Sequence, residues 1–305
     1  MPPAPPAPDA ATRRLDPIAA AIVVVLCLSW GFNQVSIKLA IHEIPPLTQG
    51  AIRSLGAALV VLAWMRLRGL RLFERDGTLV AGLVCGTCFG IEFGLIYYGL
   101  NYTTASRATL FVYLAPFFVV LGLRWLVPAD GFSMRQWIGL AMSFAGMAIA
   151  FGLPTPTDDP RQILGDALMV VAAAVWAVTT LLVKASRLNR LSSEKVMMYQ
   201  LAMSGPLMAV AAWLVGERID LTVMPSTQAL AALAYQTLYV VPITFVIWFA
   251  LIVRYSASRL SAFTFLTPLF GVAAGHLVLG DPLTPAFAAA VALVAAGLVL
   301  VNRAR

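Results

Sequence analysis

Charge is what this sequence has least of. Lys, Arg, Asp and Glu together make up 11% of its 305 residues against 60% hydrophobic, and the mean hydropathy is +0.86. Soluble domains carry about 25% charged residues, so an ordinary water-soluble domain is excluded. Histidine is scarcer still, with only His42 and His276. Without paired histidines, an HExxH run or a Ser/His/Asp grouping there is no convergent catalytic set, so no enzymatic activity, metal or cofactor is expected. The three cysteines, Cys27, Cys85 and Cys88, all fall in apolar stretches. Cys85-Gly86-Thr87-Cys88 has the spacing of a redox or metal motif, but it lacks a second ligand pair and reads as small packing residues.

Apolar runs of membrane-crossing length fill the rest. Runs of about 20 residues predict ten spans. The first five lie at about 17–40, 46–66, 77–99, 104–126 and 134–153, and the second five at about 163–184, 193–215, 227–252, 257–279 and 283–302. The expected organisation is a disordered, Pro-rich cytoplasmic tail (1–16), a first five-helix repeat (17–153) and an external linker (154–162). A second five-helix repeat (163–302) and a short cytoplasmic tail (303–305) follow. Arg13 and Arg14 before an apolar run resemble a signal peptide, but no small-residue cleavage pattern follows, so a retained first helix is expected.

The halves echo each other. Ala105-Ser106-Arg107 with Pro116 returns as Ala257-Ser258-Arg259 with Pro268, and Trp30 with Lys38 returns as Trp176 with Lys184, at offsets of 152 and 146 residues. Such a duplication inside a membrane chain is typical of secondary transporters, whose substrate site lies where the repeats meet. Five spans per repeat is an odd number, so the second repeat enters the membrane from the opposite side. The fold class is therefore all-α integral membrane: ten transmembrane helices as two five-helix repeats of inverted topology. The net charge of +7 follows the positive-inside rule, with sixteen of the twenty-one Lys and Arg on the face that carries both termini. Cytoplasmic N- and C-termini follow; a bacterial inner-membrane location is expected, and nucleic acid is not an expected partner. Nothing in the sequence sets the oligomeric state; a monomer is compatible.

Polar groups inside the spans mark the interior, because lipid offers them no hydrogen bonds. Trp30, Asn33, Gln34 and Lys38 share one face of the first span, and Trp176, Thr179, Thr180 and Lys184 share one face of the sixth. Each face sets an aromatic plate beside hydrogen-bonding groups, which suits an amphipathic solute or, alternatively, interhelical hydrogen bonding. Tyr235 and Tyr239, one turn apart, and Tyr98 are further candidates for stacking on a substrate ring. Glu92 lies in mid-span, where an ionisable group marks a pathway, a proton relay or a partnered charge; Arg53 is its expected partner if the pair is structural. Glu92 and His276 are the candidates for proton coupling. Gly82, Gly86, Gly90 and Gly94 recur every four residues, a helix-packing ridge or a sliding surface. Pro116 and Pro268, at repeat-matched positions, are expected hinges. Arg107 and Arg259 at helix starts need an acidic, carbonyl or lipid partner, and headgroup anchoring is expected.

Over nearly its whole length the chain resembles the EamA-type members of the drug/metabolite transporter superfamily. The resemblance rests on Trp30-Gly31, on Tyr102-Thr103-Thr104-Ala105-Ser106 leading to Pro116, on Ser256-Ala257-Ser258 leading to Pro268, and on Gly139 and Gly146. Where that family closes its fourth and ninth spans with Gly-Glu, this chain has Pro128-Ala129-Asp130 and Gly280-Asp281, which leaves the roles of Asp130 and Asp281 open. Within the family the chain is similar to bacterial aromatic amino-acid exporters. That resemblance implies efflux of aromatic amino acids, and of Met, through a central cavity between the repeats. The alternatives are broad drug or metabolite efflux and, in a different class, a solute channel.

Overall fold

The computed structural model describes residues 13–41, 43–72, 74, 76–152, 158–218, 224–280 and 285–303. His42, Asp281, most of the tail and residues 154–157 of the linker lie outside the described residues. Among the described residues the regular structure is helical and no strand occurs. The first half contains α1 (Pro17–Ala40), α2 (Pro46–Leu67), α3 (Leu79–Gly99), the pair α4 (Ala105–Val112) and α5 (Ala115–Leu126), and α6 (Met134–Phe151). The second half contains α7 (Pro160–Ala185) and α8 (Ser193–Leu214). Its next span joins α9 (Thr227–Ala234), a π-helical segment (Tyr235–Thr244) and α10 (Phe245–Arg254). The pair α11 (Ala257–Phe263) and α12 (Leu266–Leu279), then α13 (Pro285–Arg303), complete it.

Local chemistry sets the starts. Pro17, Pro46 and Pro160 stand first in their helices, where a missing N–H costs nothing. The side chain of Asp16 accepts from the Ala19 N–H, and those of Asp159 and Ser192 likewise cap α7 and α8. Among the described residues nine helices are long and apolar enough to cross a membrane. The remaining expected span, 134–153, is the 18-residue α6, whose polar first turn carries Arg135 and Gln136.

Close contacts give the helix directions. Along the α2–α8 seam Gly50 meets Met208 and Leu55 meets Gly205, so as one helix ascends in number the other descends: the two run antiparallel. In α6 and α13, Gly139 meets Gly297 and Val301 while Gly146 meets Ala290 and Val294, again antiparallel. Corresponding helices of the two halves thus run in opposite senses, as inverted repeats require. The cross-pairs agree, because α3 packs on α7 and α8 while α9, the π segment and α10 pack on α1 and α2.

Both repeats break at the same place. The spans holding Pro116 and Pro268 split after Val112 and Phe263, and turns closed by Leu114 N to Phe111 O (3.2 Å) and Phe265 N to Ala262 O (3.3 Å) replace the continuous helix. Each proline sits within three residues of the restart, where its missing N–H would otherwise interrupt the ladder. The glycine ridge of α3 is a packing seam: a Cβ on Gly86 would stand 2.2 Å from the Tyr199 carbonyl oxygen of α8, and Gly82 and Gly90 meet Tyr199 and Ser204. Gly94 has open space around it.

Candidate functional site

Polar side chains converge where α2, α3, α8 and the π segment meet. Arg53 Nε, Ser54 Oγ, Tyr97 OH, Gln200 Oε1, Ser204 Oγ, Gln236 Oε1 and Thr237 Oγ1 are buried without a hydrogen bond from the protein, as is Asn33 Oδ1 on α1. Neighbouring contacts draw them together. Gln236 Nε2 donates to Gln49 Oε1 (2.9 Å), Gln200 Nε2 reaches Cys85 Sγ (3.6 Å), Thr237 lies against Gly56, and the Ser204 backbone lies against Gly90. Buried polar atoms are ordinarily satisfied, and where the protein offers no partner, water or a bound solute supplies it. Rings lead into the same region: Trp30 to Phe245 (5.4 Å between centroids), Phe245 to Phe89 (5.7 Å) and Phe89 to Phe93 (4.9 Å). The Arg53 guanidinium carbon then stands 4.6 Å over Phe93 and 5.9 Å from the Tyr97 ring. Glu92 is buried on α3, and no carboxylate oxygen lies within 4.0 Å of Arg53 among the described residues. Arg53 thus stacks on rings and makes no direct salt bridge to its expected partner Glu92, which stands further off but within electrostatic range of it.

The other expected site residues scatter. Trp30 heads the ring row, and its Nε1 donates to Thr244 Oγ1 (2.8 Å). Gln34 lies against Gly271. Trp176 packs on Tyr113 (5.9 Å), and the hydroxyls of Thr179 and Thr180 donate back to the carbonyls of Val175 and Trp176. Tyr235 OH donates to the Ser29 carbonyl, and Tyr239 OH shares a hydrogen bond with Ser29 Oγ (3.0 Å). Tyr239 borders an apolar groove of about 510 Å³ between α1 and the π segment, whose other lining residues include the exposed Ile18, Val25 and Ile243. Tyr98 is exposed and accepts from Tyr102 OH (2.9 Å), and His276 is exposed on α12.

Polar contacts close both ends of the bundle, each joining residues that the charge pattern assigns to one side. At the external end Asp166 accepts from Arg107 Nε (3.1 Å to each oxygen) and Nη2 and from Thr103 Oγ1 (2.6 Å). Glu217 accepts from the Leu47 and Thr48 N–H groups (3.0 and 2.8 Å) that start α2. At the cytoplasmic end Asp130 accepts from the Ala257 N–H (2.8 Å) and from Ser256 Oγ, capping α11. Lys184 Nζ donates to the Ile252 and Tyr255 carbonyls (2.9 and 2.7 Å), and Arg259 Nη1 donates to the Val301 carbonyl (3.0 Å). Headgroup anchoring of Arg107 and Arg259 is thus replaced by an ion pair and by helix-end carbonyls. Lys195 Nζ meets Asp76 at 2.5 Å, and that bond, with those from Thr78, holds the Asp76 carboxyl well below the usual carboxylate range. Lys184 and Arg259 thus place cations on helix-end carbonyls, where the dipole favours them.

Residue-type reading overlooked Gln49, Ser54, Gln200, Ser204, Gln236 and Thr237. A signal was available: Gln49 and Gln200 stand 151 residues apart, as do Arg53 and Ser204, the second pair four residues after the first along each helix.

An inverted duplication of apolar helices with a polar, ring-lined meeting place between the halves defines a multi-pass membrane transporter. The sequence model of the EamA-like transporter family matches residues 17–152 and again 163–303, and the chain belongs to that family. It is similar to the uncharacterized transporter YvbV of Bacillus subtilis, 28% identical over 93% of this chain and 91% of that protein. It is also similar to the uncharacterized inner membrane transporter YedA of Escherichia coli K12 (24%; 95% and 92% covered). A third relative is a probable amino-acid metabolite efflux pump of Salmonella typhimurium (25%; 93% and 94% covered). A solved crystal structure superposes with a TM-score of 0.79 at 20% identity, covering 94% of this chain and 98% of that one, which is a likeness of fold. The protein is accordingly a multi-pass transporter of the inner membrane and not an enzyme.

Proposed function

We propose that the protein exports aromatic amino acids, and Met alongside them, by alternating access through the meeting place of its repeats. The observation that carries this reading is the ring row from Trp30 through Phe245 and Phe89 to Phe93, which ends among buried hydroxyl and amide groups that lack hydrogen bonds from the protein. Such a site suits a solute with a flat apolar body and a polar end. The Salmonella relative, named a probable amino-acid metabolite efflux pump, points the same way. In this mechanism the solute enters from the cytoplasm, the α4–α5 and α11–α12 breaks at Pro116 and Pro268 flex, and the end contacts open in turn. Glu92, the buried acid on α3, is the group assigned to proton coupling.

The test is uptake of labelled tryptophan, phenylalanine and methionine into proteoliposomes, with unlabelled amino acids and cationic drugs as competitors. Saturable uptake displaced by aromatic amino acids is the expected result. Drug transport without uptake of any of the three would replace it with broad efflux, and unsaturable conductance would indicate a channel.

A further inference from the structure

We propose that Arg53 is the anchor for a carboxylate on the transported solute, so that the site selects monocarboxylates attached to an apolar or aromatic body. The inference deepens the export reading above and rests on it for the solute's apolar part.

Arg53 is 2% exposed, one of the largest fully buried side chains, yet its Nε has no hydrogen-bond partner and no carboxylate stands within 4.0 Å among the described residues. An arginine keeps its charge in proteins, and a buried charge without a directly bonded counter-ion is costly. Phe93 and Tyr97 supply cation–π contact to a face of the guanidinium. They offer nothing to its N–H edge, which is the part shaped for two parallel bonds to a carboxylate. The acids at the external end are already engaged, Glu217 by the start of α2 and Asp166 by Arg107. Glu92, the one acid of α3, lies within electrostatic range of Arg53 but makes no direct bond to the guanidinium, whose N–H edge it leaves open.

Placement supports the assignment. The antiparallel register of α2 and α8, with Gly50 on Met208 and Leu55 on Gly205, sets Arg53 and Ser204 close to the crossing point of the two helices. A solute held there touches both repeats at once, as alternating access requires. Tyr97 OH, Ser54 Oγ and Ser204 Oγ, all buried without partners, are at hand for the rest of its polar end. The Phe89 and Phe93 rings provide an apolar wall.

The test is displacement of labelled phenylalanine from the full-length protein in lipid nanodiscs by phenylalanine, phenylalaninamide and 3-phenylpropionate. The amide keeps the ring and amine but loses the carboxylate; phenylpropionate keeps the ring and carboxylate. The amide is expected to compete at least about tenfold more weakly than the acid, the scale of a charge-assisted hydrogen bond. Arg53→Gln should abolish that ratio and Arg53→Lys should retain part of it. Equal displacement by acid and amide, or an undiminished ratio in Arg53→Gln, overturns the carboxylate anchor and leaves amino-acid export standing. Binding of phenylpropionate without binding of phenylalanine, read by direct titration, would keep the anchor and remove the amino-acid reading. Binding of none of the three would remove both. If Arg53→Gln does not fold, the acid-to-amide ratio of the unaltered protein decides.

Discussion

Side chains that look functional in this sequence divide by whether the protein itself satisfies them. Thr179, Thr180 and Lys184 were legible as an interior stripe, yet each finds a carbonyl partner. Arg53 was legible only as a partner for Glu92, and Ser204 not at all, because a lone Arg and a lone Ser in apolar runs have no motif around them. Their lack of partners emerges only when α2, α3 and α8 are assembled. Trp30 lies between: its place on an inner face was readable, while its hydrogen bond to Thr244 and its ring contact with Phe245 come from a span more than 200 residues away. Two predictions belong to this scale. Thr244→Val, which removes the acceptor for the Trp30 indole, should cost about 1 kcal/mol in a thermal or denaturant assay in detergent. The second concerns Asp76, whose carboxyl is depressed by Lys195 and Thr78. A depressed acid contributes stability above its unfolded-state pKa and loses it as pH falls through the folded one. Asp76→Asn should therefore lower the melting temperature by a constant amount from about pH 5.5 to 8, with the difference fading only in stronger acid. A difference that shrinks between pH 6 and 8 would contradict the assignment.

Helices were the most legible level. Spans of the right length and the matched Pro116 and Pro268 could be read directly, because lipid forces long apolar runs and proline leaves few backbone options. The π-helical turn pattern over Tyr235–Thr244 was not readable; Pro242 within it marks a disturbance but does not say which hydrogen-bond pattern replaces the α ladder. That segment sets Gln236 and Thr237 toward α2 while Tyr235 and Tyr239 bond to Ser29. The glycine ridge yields a paired prediction. Gly86→Ala would drive a methyl group into the Tyr199 backbone and should destabilise by about 1–3 kcal/mol. Gly94→Ala, with open space around it, should be neutral or stabilise by up to about 1 kcal/mol through the unfolded chain. Melting curves of the two variants compare them directly. Replacing both Pro116 and Pro268 by Ala should leave solute binding within about twofold and slow turnover, since a continuous helix removes a bending point from each repeat; unchanged turnover in proteoliposomes would remove them as hinges.

At the level of the whole molecule, duplication and its inversion could be read from offsets and parity; the two matches of the family model bear out the first and the antiparallel α2–α8 and α6–α13 seams the second. What holds the ends shut could not, because Asp130 reaches Ser256 and Ala257, and Asp166 reaches Arg107, across 59 to 127 residues of chain. Opposite perturbations follow. Asp166→Asn should favour opening outward and raise labelling of an engineered interior cysteine by an impermeant thiol reagent added outside. Asp130→Asn should favour opening inward and lower it. The same sign for both would contradict their placement at opposite ends. A final consequence lies in the α2–α8 crossing. Had the two halves stayed identical, a second guanidinium would stand where Ser204 is, and two cations would confront each other across the symmetry axis with little water to screen them. Fusing two copies into one polypeptide let a single half carry the charge. The duplicated chain thus carries this charge in one half only, and two copies of the first half alone should assemble poorly.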